Sequence, residues 1–191
     1  MATDGERRLL DAAMTEFSER GLAGARVSRI SERAGANKQL IYAYFGDKDG
    51  LFDAALEKNN LDLNAAAPLD PHDLPGWVVT LFDYITAHPE VMRLTLWQFL
   101  ERPESVNANI ERDYGPYLEG VAEAQKAGEL TNSISPLDLI VILSGMATSW
   151  YYAFATVRSI PGDTTWSDET LDRHRAALHE AARLLVTRSS N

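Results

Sequence analysis

The run Ala36-Asn37-Lys38-Gln39-Leu40-Ile41-Tyr42-Ala43-Tyr44-Phe45-Gly46-Asp47-Lys48 gathers side chains suited to a polyanion and to the edges of nucleobases. Lys38 and Gln39 are adjacent, Tyr42 and Tyr44 lie two apart, Lys48 closes the run, and Arg26 and Arg29 precede it. Lysine and arginine meet phosphates, tyrosine hydroxyls donate to phosphate oxygens, and Lys and Gln match the major-groove edges of guanine and adenine. This is chemistry for holding a nucleic acid. Between Gly21 and Gly46 the basic residues Arg26, Arg29, Arg33 and Lys38 face Glu32 alone, whereas residues 51–191 carry ten Lys or Arg against twenty Asp or Glu. The whole chain has a formal net charge of -10, but a binding footprint is local, and a distant acidic body only weakens non-specific attraction.

Chemistry of other kinds finds little support. The 191 residues include no cysteine, which excludes disulfides, thiolate zinc sites and cysteine nucleophiles and suits a reducing cytoplasm. His179-Glu180 begins like the zinc motif HExxH, but Arg183 stands where the second histidine is needed. There is no Gly-rich phosphate loop and no GxSxG elbow, so no catalytic residue, metal or cofactor is expected. The apolar residues Phe82, Trp97, Tyr114, Tyr117, Met146 and Trp150 are candidates for lining a small-molecule cavity, with plain core packing as the alternative for each. Trp97 stands out because Arg93 and Glu101 lie one turn to either side of it.

The elements that must position these residues are helical. Leu10, Ala13, Met14 and Phe17 repeat at i, i+3, i+4 and i+7, and Thr3 with Glu6 has capping-box spacing, predicting a helix from Asp4 to Arg20 that stops at Gly21. Val27, Ile30 and Ala34 predict a short second helix ended by Gly35, and Asn37 caps a third from Lys38 to Phe45. A short helix, a Gly-centred turn and a second short helix form the layout of a helix-turn-helix. A fourth helix starts near Lys48 with Leu51, Phe52, Ala55 and Leu56 as its apolar residues. The Pro- and Asp-rich stretch Ala67 to Pro75 reads as a connection. Later stripes follow at Val78, Leu81, Phe82 and Ile85; at Met92, Leu96, Phe99 and Leu100; and at Ile110, Tyr114, Tyr117, Leu118 and Val121, with a kink expected at Pro116.

Leu139 to Val157 carries no charge over nearly enough residues to cross a bilayer. Ser144, Gly145, Thr148 and Ser149 interrupt it and no basic cluster flanks it, so a buried helix is expected and no membrane partner. Its wheel has one apolar face of Leu139, Ile142, Leu143, Met146, Trp150 and Phe154, and another of Leu137, Ile140, Val141, Ser144, Thr148 and Tyr151. The last helix shows a leucine seam at Leu171, Leu178 and Leu185. Two such helices from each of two chains would form a four-helix bundle, making a homodimer the expected assembly.

The pattern Leu10-Asp11-Ala12-Ala13 through Phe17 and Gly21, then Ile30, Ala34-Gly35, and Ile41 to Leu51 resembles the DNA-binding domain of the tetracycline-repressor (TetR) family of bacterial regulators. The resemblance implies an all-α fold, with a three-helix helix-turn-helix domain over residues 1–50 and a helical dimerisation and ligand-binding domain over 51–191. It implies a third helix in the major groove, with Tyr42, Tyr44 and Lys48 on the DNA backbone and Lys38 and Gln39 as the base readers. Arg26, Ser28, Arg29, Asn37 and Ala43 complete the expected DNA-facing set. A transcriptional repressor that binds a pseudo-palindromic double-stranded operator and is released by a small-molecule effector is then expected. A helical protein-interaction module and a small-molecule enzyme are the alternatives.

Overall fold

The computed structural model describes residues 3–103, 110–157 and 167–187. The regular structure among the described residues is entirely helical: α1 (Asp4–Gly24), α2 (Val27–Arg33), α3 (Lys38–Phe45), α4 (Lys48–Ala66), α5 (Leu74–Ala87), α6 (Pro89–Glu101), α7 (Ile110–Ala127), α8 (Pro136–Val157) and α9 (Asp168–Val186). The local capping signals act as their spacing predicts. Thr3 Oγ1 accepts from the Glu6 N–H while the Glu6 carboxylate accepts from the Thr3 N–H, and the Asn37 side chain accepts from the Gln39 N–H at 2.9 Å.

α1 is broken at its end. Gly21 adopts φ 66°, ψ -179°, after which one more helical turn carries the chain to Ala25. A side chain cannot occupy this position, because a Cβ on Gly21 would fall 2.6 Å from the Trp97 ring.

Two compact units divide the chain: residues 1–65 with 88–109, and residues 66–87 with 110–191. The first unit takes in most of α4 because Leu51, Phe52, Ala55 and Leu56 share one core with Leu9, Ala13, Phe17, Ile30 and Ile41. Phe17 and Phe52 meet edge to face at 4.9 Å in its middle. α6 joins the same unit by packing along α1, with Leu94 in the core and Trp97 against it.

α6 therefore presents a different face from the one its apolar residues suggest. Its buried residues are Val91, Met92 and Leu94, while Phe99 and Leu100 are 53% and 73% exposed. The reason is the bend at Gly21, which offers a flat backbone surface to Trp97 and so turns the 94, 97, 101 side of the helix toward α1.

In the second unit α5 packs on α8 and α9, and α7 packs on α8. α8 buries Leu139, Ile140, Leu143 and Ala147, and leaves Leu137, Val141, Ile142 and Tyr152 exposed. The two apolar faces are thus rotated from their expected positions, with Ile140 inside and Ile142 outside. On α9 the buried stripe is Thr170, Leu178, Ala182 and Val186, so Leu171 and Leu185 are only half-buried and Leu184 is exposed. Pro116 lies inside α7. The side chains of Ile110 and Phe154 lie outside the described residues. Among the described residues no helix is long and apolar enough to cross a membrane.

Candidate nucleic-acid interface

α3 is a two-turn helix with one deeply buried residue, Ile41, and flanking half-buried Leu40 and Phe45. These anchor it on the first unit's core. The remaining surface is open: Asn37, Lys38, Gln39, Tyr42, Ala43 and Tyr44 are all exposed. Tyr42 and Tyr44 are 52% and 42% exposed, so neither is a core aromatic. Tyr44 stacks edgewise on Phe45 at 6.0 Å, and its hydroxyl lies 3.4 Å from Thr3 Oγ1.

The turn between α3 and α4 explains the Gly-Asp-Lys-Asp-Gly run that follows the tyrosines. Asp47 Oδ1 accepts the Gly50 N–H at 2.8 Å, capping the first turn of α4. Residue 50 has to be glycine, since a Cβ there would sit 2.2 Å from the Phe45 carbonyl oxygen. That close approach fixes Lys48 at the mouth of the turn, half-buried, with its Nζ donating to the Leu22 carbonyl at 2.7 Å.

Arg26 stands at the N-cap of α2, and its side chain makes no capping hydrogen bond. Its start is held instead from α1 by Glu16, a carboxylate only 1% exposed. Glu16 Oε1 accepts from the Arg26 N–H at 3.1 Å and from Arg29 Nε at 2.6 Å, and Arg20 Nε lies 3.9 Å from Oε2. Burial alone would raise the Glu16 carboxyl. The hydrogen bonds from Arg29 and the Arg26 backbone, together with the charges of Arg29 and Arg20, outweigh burial and hold it below its ordinary value of 4.5. Arg29 also donates to the Gly24 carbonyl at 2.9 Å, so its guanidinium ties the start of α2 to α1. Arg26 and Ser28 are exposed beside it. Sequence reasoning gave Glu16 no role, because an acid inside an amphipathic helix carries no local signal that it will be buried.

The candidate effector residues do not form one group. Trp97 belongs to the first unit, its ring lies across Gly21, and its Nε1 donates to the Ser18 carbonyl at 3.3 Å. The other five belong to the second unit. Phe82 is buried, Trp150, Met146 and Tyr117 are half-buried, and Tyr114 is exposed. Phe82 and Trp150 are joined by a residue that the sequence did not mark for this role, His174 of α9. Its ring stands edgewise to Phe82 at 5.0 Å and tilted on Trp150 at 4.3 Å. Burial, with a smaller contribution from the Arg173 charge, lowers the His174 pKa from its ordinary 6.5. His174 Nε2 and Trp150 Nε1 are buried without a hydrogen-bond partner. The available signal was register: His174 lies four residues after Thr170 and four before Leu178 on the buried stripe of α9.

Residues 9–55 match the family of bacterial regulatory proteins named tetR, and residues 73–183 match the tetracyclin repressor-like C-terminal domain. The chain is 39% identical over 184 residues to the HTH-type transcriptional repressor SCO4008 of Streptomyces coelicolor, spanning 95% of this chain and 94% of that protein. It is 36% identical over 93 residues to the HTH-type transcriptional repressor NicS of Pseudomonas putida, 45% of this chain and 44% of the relative. The crystal structure of the transcriptional regulator SCO4942 of Streptomyces coelicolor superposes with a TM-score of 0.83 at 32% identity, covering 96% of this chain and 98% of the other. The chain therefore belongs to the TetR family and is a DNA-binding transcriptional regulator, not an enzyme.

Proposed function

We propose that the protein is a repressor that binds a pseudo-palindromic operator as a homodimer and is released by a small-molecule effector. The observation that carries this reading is α3, a helix pinned by Ile41 that leaves Lys38, Gln39, Tyr42 and Tyr44 exposed together. Lys38 and Gln39, in its first turn, read base edges, and Tyr42, Tyr44 and Lys48 hold the phosphate backbone, with Arg26 and Ser28 beside them. The relatives named as repressors support the direction of regulation.

The homodimer is supported by the exposed apolar stripe of Leu137, Val141, Ile142 and Tyr152 on α8 and by Leu184 on α9. An effector site in the second unit is supported by the orphaned polar atoms of Trp150 and His174 beside Phe82. A buried donor without a partner carries a desolvation cost that a ligand can remove. Effector then favours a separation of the two reading helices that no longer fits half-sites about 34–36 Å apart.

Selection of random duplex DNA on the purified protein tests the reading. Recovery of an inverted repeat with steep salt dependence is expected, and repeating the selection with Gln39→Ala should relax one base pair per half-site. No enrichment at low salt would overturn it.

A further inference from the structure

The break in α1 leaves backbone groups that its own ladder no longer pairs, and side chains of α6 take them up. The Ser18 carbonyl accepts from Trp97 Nε1. Beyond Gly21, the Leu22 N–H donates to the Glu101 carboxylate, and the Ala23 N–H donates to Glu101 Oε1 at 3.2 Å. The Ala23 N–H and the Leu22 carbonyl belong to one peptide group, and that carbonyl is the acceptor for Lys48 Nζ at 2.7 Å. A single planar peptide thus has a carboxylate at its donor end and an ammonium at its acceptor end. Each charge polarises the peptide in the sense that strengthens the other bond. Arg102 adds a brace: its guanidinium lies 3.1 Å from Asp49 Oδ1 and 3.5 Å from Asp53 Oδ2, in the first turns of α4 just beyond Lys48.

We propose that Glu101 is a positioning residue for the DNA-backbone contact of Lys48, acting through the Leu22–Ala23 peptide, so that the end of α6 sets how firmly this lysine meets a phosphate. The inference rests on the reading of Lys48 as a phosphate contact. An ammonium has three donors, and committing one to Leu22 leaves two for phosphate while fixing their direction. A lysine on a four-carbon stem otherwise loses rotamer freedom when it binds, and here much of that freedom is lost before the DNA arrives. The sign of the effect separates this role from simple electrostatics. Removing an acid from a DNA-facing unit should tighten binding by general charge, whereas loss of the positioning group should weaken it.

The test is a double-mutant cycle on the full-length protein with the selected operator duplex, read as affinity over a series of salt concentrations. Lys48→Ala should weaken binding about tenfold and lower the salt slope by about one. Glu101→Ala should also weaken binding, the double variant should be no weaker than Lys48→Ala alone, and Glu101→Gln, which keeps one acceptor, should fall between wild type and Glu101→Ala. If Glu101→Ala folds poorly, Glu101→Gln completes the same cycle. Additive losses in the double variant would overturn the proposal, as would tighter or unchanged binding by the Glu101 variants while Lys48→Ala remains weak. Unchanged affinity in Lys48→Ala would overturn the reading of Lys48 itself, and the proposal with it.

Discussion

Glu16 in the first unit and His174 in the second are both ionisable side chains with buried polar atoms, and they are treated in opposite ways. Glu16 is surrounded by donors from Arg26 and Arg29, with Arg20 nearby, and keeps its charge. His174 lies between Phe82 and Trp150, its pKa is lowered by burial, and its Nε2 has no partner. The contrast lies in what each side chain can do where it sits. A buried charge held by several donors fixes one geometry, here the junction of α1 and α2. An unpaired polar atom beside a second one, Trp150 Nε1, is an open valence that suits a ligand.

The comparison can be broken most forcefully where the first unit is tightest. Gly21→Ala places a Cβ in a left-handed conformation and against the Trp97 ring, so a loss of about 3 kcal/mol in unfolding free energy is expected from denaturant titration. A loss well below this would mean that the contact between α1 and α6 yields easily and that the first unit is not rigid in the sense argued.

Glu16→Gln comes next. It leaves Arg29 half-exposed without its charged partner, and about 2 kcal/mol of stability should be lost near neutral pH. The pH dependence carries the sharper contrast. The Glu16 pKa is lowered on folding, so its contribution is present above its unfolded value of 4.5 and is lost as pH falls through the lower folded value. The His174 pKa is also lowered, but the group is a base kept neutral by burial. Its unfolded form takes up a proton first, so stability is complete above 6.5 and falls away as pH drops below that value. Hydrogen exchange followed by mass spectrometry should therefore show α9 losing protection from about pH 6.5 downward, while α1 and α2 hold until below about 4.5. Simultaneous loss in both regions would remove the distinction.

The smallest effect is expected at the open valence itself. His174→Phe replaces an unpaired polar ring by an apolar one of similar shape, so stability should be unchanged or higher by up to about 1 kcal/mol, and the pH 6.5 step should vanish. A loss of several kcal/mol in thermal or denaturant unfolding would show that His174 is a paired structural group after all.

Much of this protein is legible in its sequence because the deciding interactions are local. Thr3 with Glu6, Asn37 with Gln39 and Asp47 with Gly50 lie within three residues of each other, so spacing alone sets where α1, α3 and α4 begin. The exposure of Lys38, Tyr42 and Tyr44 on α3 follows from the same short-range logic: a two-turn helix with one buried position must show the rest of itself. Which side of each longer helix lies inside is set by long-range packing. Ile140 and Ile142 are equally apolar, and nothing within α8 chooses between them; packing of α5 and α7 on that helix does. Trp97 lies across the bend at Gly21, and the Glu101 carboxylate accepts from an amide 79 residues away. The pattern of a sequence records propensity and period, which act over a turn or two of helix. The pairing of Glu101 with the peptide that holds Lys48 exists only once distant segments are folded together.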